Sequence, residues 1–468
     1  MNVIIFGTGK RYIQNKSRFQ YMKIIAFLDN DIKKQGSFLD GIIIDSPSNI
    51  HKYQFDYVIL VGKYYAEMYS QLRSLGVDET KILDKDHKGI YSVIKESTRY
   101  DVITSCANLN KKKIAMISHS MSTGGAQIAY LLMAKVLKKN AFDVRIYAES
   151  KGAILYDFLK AEIPVTVLDG FALDEREIEY YFSGYDCIIV NTIALYDFVS
   201  RISILKIPMM WWLHEEDAGY RAHLGNKDIN IKRNVHVYGV GSRAIRTFRK
   251  YARGENINDL HYGVQKYQQT GIMKAKKKII FAMIGAVAYH KGQDILNKAV
   301  EKFWDMWRER AEFWIIGAIS DELKKQYEKE ERIRIFGAVA HKKVLELMEE
   351  IDVVICASRY DTMPIVLAEA MMLKKVCITT DVTGTAEYIE PYKNGLICKP
   401  DDVQSLSEQI EWVLSNQGQL KAMGEASYKV YETEFSEEVF EKNIVSIIKN
   451  ILADGGTNEN GDSCTILS

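Results

Sequence analysis

The stretch "SRYDTMPIVLAEAMMLKK", residues 358–375, places one carboxylate, Glu369, inside an otherwise apolar run. Pro364 suits the first helical position, and Ala, Leu and Met fill the interior, so the pattern predicts a helix from that proline onward. Moving an unpaired carboxylate out of water costs several kcal/mol. Glu369 therefore either escapes to solvent at the rim of a core helix or meets fixed hydrogen-bond donors, such as the hydroxyls of a ligand. The helix alone favours the rim. The segments around it decide.

Short β-branched runs alternate with longer helical patterns along most of the chain, the signature of parallel sheets covered by helices. One series holds "NVIIFG", "KIIAFLD" and "DYVILVG". A second opens with "KIAMISHSMSTGGAQIAYLLMAKVLKK" and continues through "DVRIYAE", "YDCIIVNT", "PMMWWLHE" and "VHVYGVG". The third runs from "KKIIFAMIGAVAYHKGQDIL" through "AEFWIIG", "IRIFGAV" and "DVVICAS" to "KVCITTD". The expected organisation is a small α/β domain over 1–95, a linker over 96–112, α/β units over 113–270 and 271–435, a cross-over helix over 436–453 and a disordered tail over 454–468. Ser436 is the expected N-cap of the cross-over helix, with Glu437 and Glu438 in its first turn. Two similar α/β units in tandem imply a cleft, because open parallel sheets bind ligands beyond the carboxyl ends of their strands.

Composition narrows the functional classes. The 468 residues carry 62 basic and 61 acidic side chains, a net charge of +1, so bulk attraction to nucleic acid or an anionic surface is not expected. Six scattered cysteines without a CxxC pair fit reduced thiols in a cytoplasmic setting, with neither disulfide framework nor zinc site. No apolar run has the length of a membrane span, and "MNVIIFGTGKR" is too short for a signal peptide.

Three segments carry candidate chemistry. In "MISHSMSTGGAQIAYLLMAKVL" a strand runs into a loop whose Gly124 and Gly125 let backbone amides approach a diphosphate at a helix start; a plain flexible turn explains the same residues. In "IGAVAYHKGQDI" a strand ends at Gly285, and Lys291 and Gly292 set a cation and a tight turn before a helix. In "WWLHEEDAG" a strand delivers His214, followed by Glu215, Glu216 and Asp217, to the same end of the sheet, where an imidazole serves acid–base work or structure equally.

Together these segments resemble the retaining GT-B glycosyltransferases of family four over residues 111–450. The resemblance rests on the Gly-Gly loop, on "GAVAYHKG" in place of the family's G-R-L-x-x-x-K-G, on "DTMPIVLAE" in place of E-G-x-P-x-x-x-x-E, and on "TTDVTGTAEYIEPYKNGLIC", with Glu387, Asn394 and Gly395 in register. Asp361 and Glu369 keep the family's spacing of eight positions, and Lys291 lies six after Gly285. The resemblance implies a GT-B fold of two facing Rossmann-like domains, here preceded by an extra Rossmann-like α/β domain. It implies transfer of a hexose-type sugar from a nucleotide sugar to the hydroxyl of a glycan or lipid-linked glycan acceptor, with retention, without metal or cofactor, in cell-surface polysaccharide or glycan synthesis.

By the same carry-over Glu369 holds the ribose, Lys291 and the helix start at Pro364 and Ile365 take the diphosphate, Gly124, Gly125 and Gly285 border it, Asp361 faces the donor sugar, and His214 sits beside the reacting sugar. Glu369 lies five residues beyond Pro364, roughly 7.5 Å along a helix axis, a sensible span from phosphate to ribose. Two departures stand out: Ala286 replaces the family's Arg, and Asp361 is one methylene shorter than Glu. They keep open a catalytically degenerate relative that binds nucleotide or a partner. Contact with the inner face of a membrane and homo-oligomer formation also stay open.

The first domain shows G-x-G in "IIFGTGKRY", with Asp29 twenty residues beyond Gly9 at the end of the second strand. Gly7, Gly9 and Asp29 thus form a candidate ligand site of dinucleotide type, although Tyr12 replaces the third glycine. An NAD-linked epimerase or dehydrogenase is the alternative from another class, against which "GKYYAEMY" holds Tyr and Lys in the wrong order and too early in the chain.

Overall fold

The computed structural model describes residues 2–9, 12–13, 23–61, 65–84, 111–122, 124–168, 171, 173–225, 227–268, 277–323 and 332–457. Most of the expected linker, the boundary at 270–271 and residues 458–468 of the expected tail lie outside the described residues. The chain divides into two compact units, Met1–Asn108 with Tyr156–Val167, and Leu109–Leu155 with Leu168–Ser468.

The first unit holds a sheet in the order Phe38–Leu39, Ile42–Asp45, Lys23–Leu28, Asn2–Phe6, Tyr57–Leu60, Ile82–Asp84, parallel except for the hairpin at its edge. Val3 and Ile5 feed one apolar cluster while Ile4 and Phe6 feed another. Burial on both faces is why these strands read as continuous apolar runs rather than alternating ones.

The second unit contains two further parallel sheets. One runs Ile257–Asp259, Val235–Gly239, Met209–Leu213, Cys187–Asn191, Lys113–Ser118, Asp143–Ala148. The other runs Ile333–Gly337, Ala311–Ile316, Ile279–Ile284, Val353–Cys356, Val376–Thr380, Leu396–Cys398. The central strands of each bury nearly every side chain, and Trp211 and Trp212 are fully enclosed. In both sheets the strand that opens the series sits inside the sheet, with its successor on one side and a later strand on the other. The carboxyl end of such a strand is a topological switch point, where the flanking loops part and leave a crevice. These ends are His119 to Gly125 in one lobe and Gly285 to Lys291 in the other.

The last helix, Glu437–Thr457, continues four residues past the expected end at 453. It returns to the first lobe: Glu441 accepts hydrogen bonds from Lys139 at 2.6 Å and Asn140 at 2.8 Å, and Phe440 stacks over Trp212. Ser436 lies at its start, its Oγ accepting from Val439 N at 3.4 Å.

Candidate functional site

The helix foreseen in the opening stretch spans Ile365–Met372, with Pro364 as its N-cap in extended conformation, one position earlier than expected. Apolar side chains on all sides bury this helix between strands Val353–Cys356 and Val376–Thr380, and they carry Glu369 inside with them at 4% exposure. The rim reading is therefore excluded. The carboxylate is held by His341, whose Nε2 lies 2.6 Å from Oε1 and which opens the helix His341–Glu350. Sequence reasoning did not single out His341, because 28 residues separate the two.

Lys291 ends a short 3-10 turn, and Gly292 follows with φ +76°. A Cβ at Gly292 would lie 2.0 Å from the Ala357 carbonyl oxygen, so only glycine lets this turn press on the neighbouring strand end. That contact sets Lys291 Nζ 2.5 Å from Asp361 Oδ2. Burial works against the ammonium, but Asp361 outweighs it and raises the Lys291 pKa above its ordinary value. Arg359 fixes the approach: it forks onto Asp294 at 2.8 Å, reaches Asp401 at 2.5 Å and lies over the Tyr289 ring. Gly285 has φ +136°, and the neighbouring Ala286 is exposed.

From the other lobe Gly124 caps the helix Gly125–Lys139, and a Cβ at Gly125 would touch Ile365 at 3.4 Å. The Gly-Gly loop and the helix start at Pro364 and Ile365 thus face one another. Tyr262 Oη donates to the Met363 carbonyl at 3.0 Å, Arg243 to the Asp381 carbonyl at 2.9 Å, and Ser242 and Arg246 both donate to Glu387. Asn394 braces the turn beyond, accepting from Glu390 N and donating to the Tyr388 carbonyl.

His214 follows strand Met209–Leu213 and packs edge-on against Trp212, with ring centroids 4.4 Å apart. Its Nε2 is buried and has no hydrogen-bond partner among the described residues. Burial, with a further push from His119, lowers its pKa to about 3, so the imidazole is neutral at working pH. His119, at the end of strand Lys113–Ser118, likewise buries an unpartnered Nδ1, and burial followed by His223 lowers its pKa. "MISHS" carries no periodicity that would have marked it.

Of the candidate residues in the second unit, Gly124, Gly125 and His214 follow strand ends in one lobe and Gly285, Lys291 and Asp361 follow strand ends in the other, while Pro364 and Ile365 start the helix that carries Glu369. In the first unit Gly7 has φ +107° against the Val61 carbonyl, and Asp29 accepts from Thr8 N and Lys34 Nζ at 3.0 Å each and from Thr8 Oγ1. Burial works against the Asp29 charge, but these hydrogen bonds prevail and lower its pKa. Tyr12, at the third glycine position, is a buried ring packed on Phe27. Asp29 thus ties the Gly7–Gly9 loop to its own. Lys63 and Tyr64 of "GKYYAEMY" lie outside the described residues.

Among the described residues no group of three or more His, Cys, Asp and Glu is placed to hold a metal ion, and no helix is long and apolar enough to cross a membrane.

Residues 266–430 match the model "Glycosyl transferases group 1", and residues 1–83 match "C2185-like, N-terminal". An uncharacterized glycosyltransferase of Methanocaldococcus jannaschii is 27% identical over 185 residues, 38% of this chain and 46% of that protein, so the match spans less than half of that relative. The N,N'-diacetylbacillosaminyl-diphospho-undecaprenol alpha-1,3-N-acetylgalactosaminyltransferase of Campylobacter jejuni is 24% identical over 300 residues, 62% of this chain and 72% of that one. The crystal structure of Anabaena HepE in complex with UDP and glucose superposes with a TM-score of 0.61 at 17% identity, covering 72% of this chain and 99% of that one. The chain therefore has the GT-B fold and carries a group 1 glycosyltransferase domain at residues 266–430, behind a C2185-like N-terminal domain.

Proposed function

We propose that the second unit transfers a hexose-type sugar from a nucleotide sugar to an acceptor hydroxyl with retention of configuration, in the synthesis of a cell-surface polysaccharide or related glycan. The observation that carries this reading is Glu369, a carboxylate 4% exposed within an apolar helix, five residues beyond a helix start that faces a glycine loop and lies near a Lys291–Asp361 ion pair. A buried charge of this kind is costly unless it has work to do. Two ribose hydroxyls supply the donors that it needs beyond His341.

The diphosphate lies at the helix start by Pro364 and Ile365, where free amides and the helix dipole favour negative charge. Lys291, paired with Asp361 in the free protein, turns its ammonium to the departing phosphate, and Asp361 is released towards a hydroxyl of the donor sugar. Cation and amides then stabilise charge where it develops, with no metal called for. His214, neutral, offers a hydrogen bond rather than a charge at the reacting sugar. The acceptor proton leaves with the phosphate, as front-face retention requires. UDP is the first nucleotide to test, since HepE is seen with it.

Ala286 favours one second reading, a degenerate transferase that binds nucleotide without turnover. Incubation with UDP-, GDP- and dTDP-hexoses, with detection of the released nucleoside diphosphate and assignment of the product anomer by NMR, separates the two. Release with a retained anomer supports transfer; nucleotide binding without release supports the degenerate reading; an inverted anomer refutes retention.

A further inference from the structure

We propose that Glu216 and Arg243 form an acceptor subsite that holds a hydroxyl of a neutral sugar. The proposal rests on the transferase reading above; it separates Glu216 from its two acidic neighbours and adds Arg243, which none of the sequence motifs marks.

The three acids after His214 fare differently. Glu215 is fully used: Thr192 Oγ1, Ile193 N at 3.1 Å and His214 N at 3.0 Å all donate to it, and Gly219 leaves room for its side chain. Asp217 is taken up by Tyr251 Oη at 3.0 Å, Arg221 and Lys250. Glu216 has no such employment. Its Oε1 is buried without a hydrogen-bond partner among the described residues, and although it is the N-cap residue of helix Asp217–Leu224, its side chain does not cap that helix. A buried carboxylate oxygen left unmade is expensive, which points to a donor that arrives with a ligand.

Arg243 is the complementary group. One terminal nitrogen donates to the Asp381 carbonyl, while its Nε is buried without a partner. The two side chains form no ion pair within 4 Å, yet their charges act on one another: burial raises the Glu216 pKa, Arg243 draws it down and Asp361 pushes it up again. Geometry places them: Glu216 follows strand Met209–Leu213, two residues beyond His214, and Arg243 reaches from the same lobe to the carbonyl of Asp381, the residue after strand Val376–Thr380 of the other lobe.

The chemistry selects the ligand class. Glu216 Oε1 needs a proton donor, and Arg243 Nε–H needs a lone pair. A hydroxyl supplies both from a single oxygen. A phosphate is repelled by Glu216 and an ammonium by Arg243, which leaves an uncharged polyol. Donor ribose and diphosphate belong to the other lobe, so this hydroxyl is the acceptor's.

The test uses the full chain, p-nitrophenyl glycosides as acceptor probes in saturation-transfer NMR with UDP present, and Glu216→Gln, which keeps size and the backbone carbonyl that accepts from Gly219 N. We expect wild type to bind at least one glycoside, the variant to bind it about tenfold more weakly or worse, and UDP affinity to stay within about twofold. Arg243→Lys keeps the charge but removes the Nε–H and should weaken the same glycoside, which guards against a folding defect in one variant. Equal glycoside binding by wild type and Glu216→Gln, loss of UDP affinity in that variant, or no glycoside bound by a wild type that binds UDP overturns the proposal. Failure of the transferase reading shows separately, as wild type that binds none of UDP, GDP and dTDP.

Discussion

Replacing Glu369 with alanine separates a ligand role from a structural one, because the two predict opposite ratios of affinity loss to stability loss. On the stability side little is at stake. The Glu369 pair with His341 involves an imidazole side chain that is 45% exposed, and a pair so open to water contributes about 0–1 kcal/mol. Against that, alanine removes a charge from an apolar helix and is the best helix former, so the melting temperature should move by no more than about 2–4 °C. On the ligand side, hydrogen bonds to a charged group contribute about 1.5–3 kcal/mol each. Losing two ribose contacts, part of which water replaces, should cost about 2–3 kcal/mol, or roughly 30- to 150-fold in the Kd for UDP. Calorimetric titration with UDP and a thermal melt of the same two proteins read both numbers. An unchanged Kd, or an affinity loss accompanied by a melting temperature about 10 °C lower, refutes the ribose assignment. Glu369→Gln, which keeps an acceptor oxygen but not the charge, should fall between.

Lys291→Ala should lower kcat/KM roughly 100- to 1,000-fold while uridine, which lacks phosphate, binds as before; steady-state kinetics with a uridine titration check both, and an equal loss for uridine would place Lys291 in nucleoside binding. Ala286→Arg should tighten UDP about tenfold, since residue 286 is exposed beside the phosphate turn and restores a second cation; an unchanged Kd means that the anion lies elsewhere. His214 makes a pH prediction. The folded chain keeps it neutral down to about pH 3, whereas the unfolded chain takes up a proton below about pH 6.5, so the unfolded state binds more protons in acid and stability falls as pH drops. Unfolding free energies of wild type and His214→Asn from urea titrations should therefore converge by about 1.6 kcal/mol between pH 6.5 and 5, and parallel curves would show that His214 is not held neutral.

The strand ends were legible because they follow from local pattern. "KIIFAMIGAVAYHKG" shows a buried strand, a glycine and a cation in order, and parallel-sheet topology then decides where they meet. What stayed illegible is who pairs with whom. Asp361 meets Lys291 across 70 residues, Glu387 meets Ser242 across 145, and no period in a single sequence links such positions. The same limit explains why "HEED" read as three equal acids. Their division into a bracing Glu215, a tethered Asp217 and an unpartnered Glu216 depends on Thr192, Tyr251 and Arg221, and two of these lie on other elements. Pro364 was misplaced by one position because proline satisfies the N-cap and the first helical turn alike, both lacking an intrahelical N–H partner.

The two departures from the family motif fall at one place in the fold. Gly285 and Ala286 leave strand Ile279–Ile284, Asp361 follows strand Val353–Cys356, and these strands are hydrogen-bonded neighbours. A missing Arg and a shortened carboxylate at adjacent strand ends amount to one change: a cation is lost, and the remaining acid is drawn close enough to occupy the remaining cation. In the proposed function Asp361 and the diphosphate compete for the single ammonium of Lys291, and nucleotide binding there would break an ion pair whose partners are 32% and 14% exposed. Partly screened pairs of this kind are weak enough to exchange. Under the proposed transfer, arrival of the diphosphate is thereby coupled to release of Asp361, and the carboxylate faces the donor sugar only once the leaving group is in place.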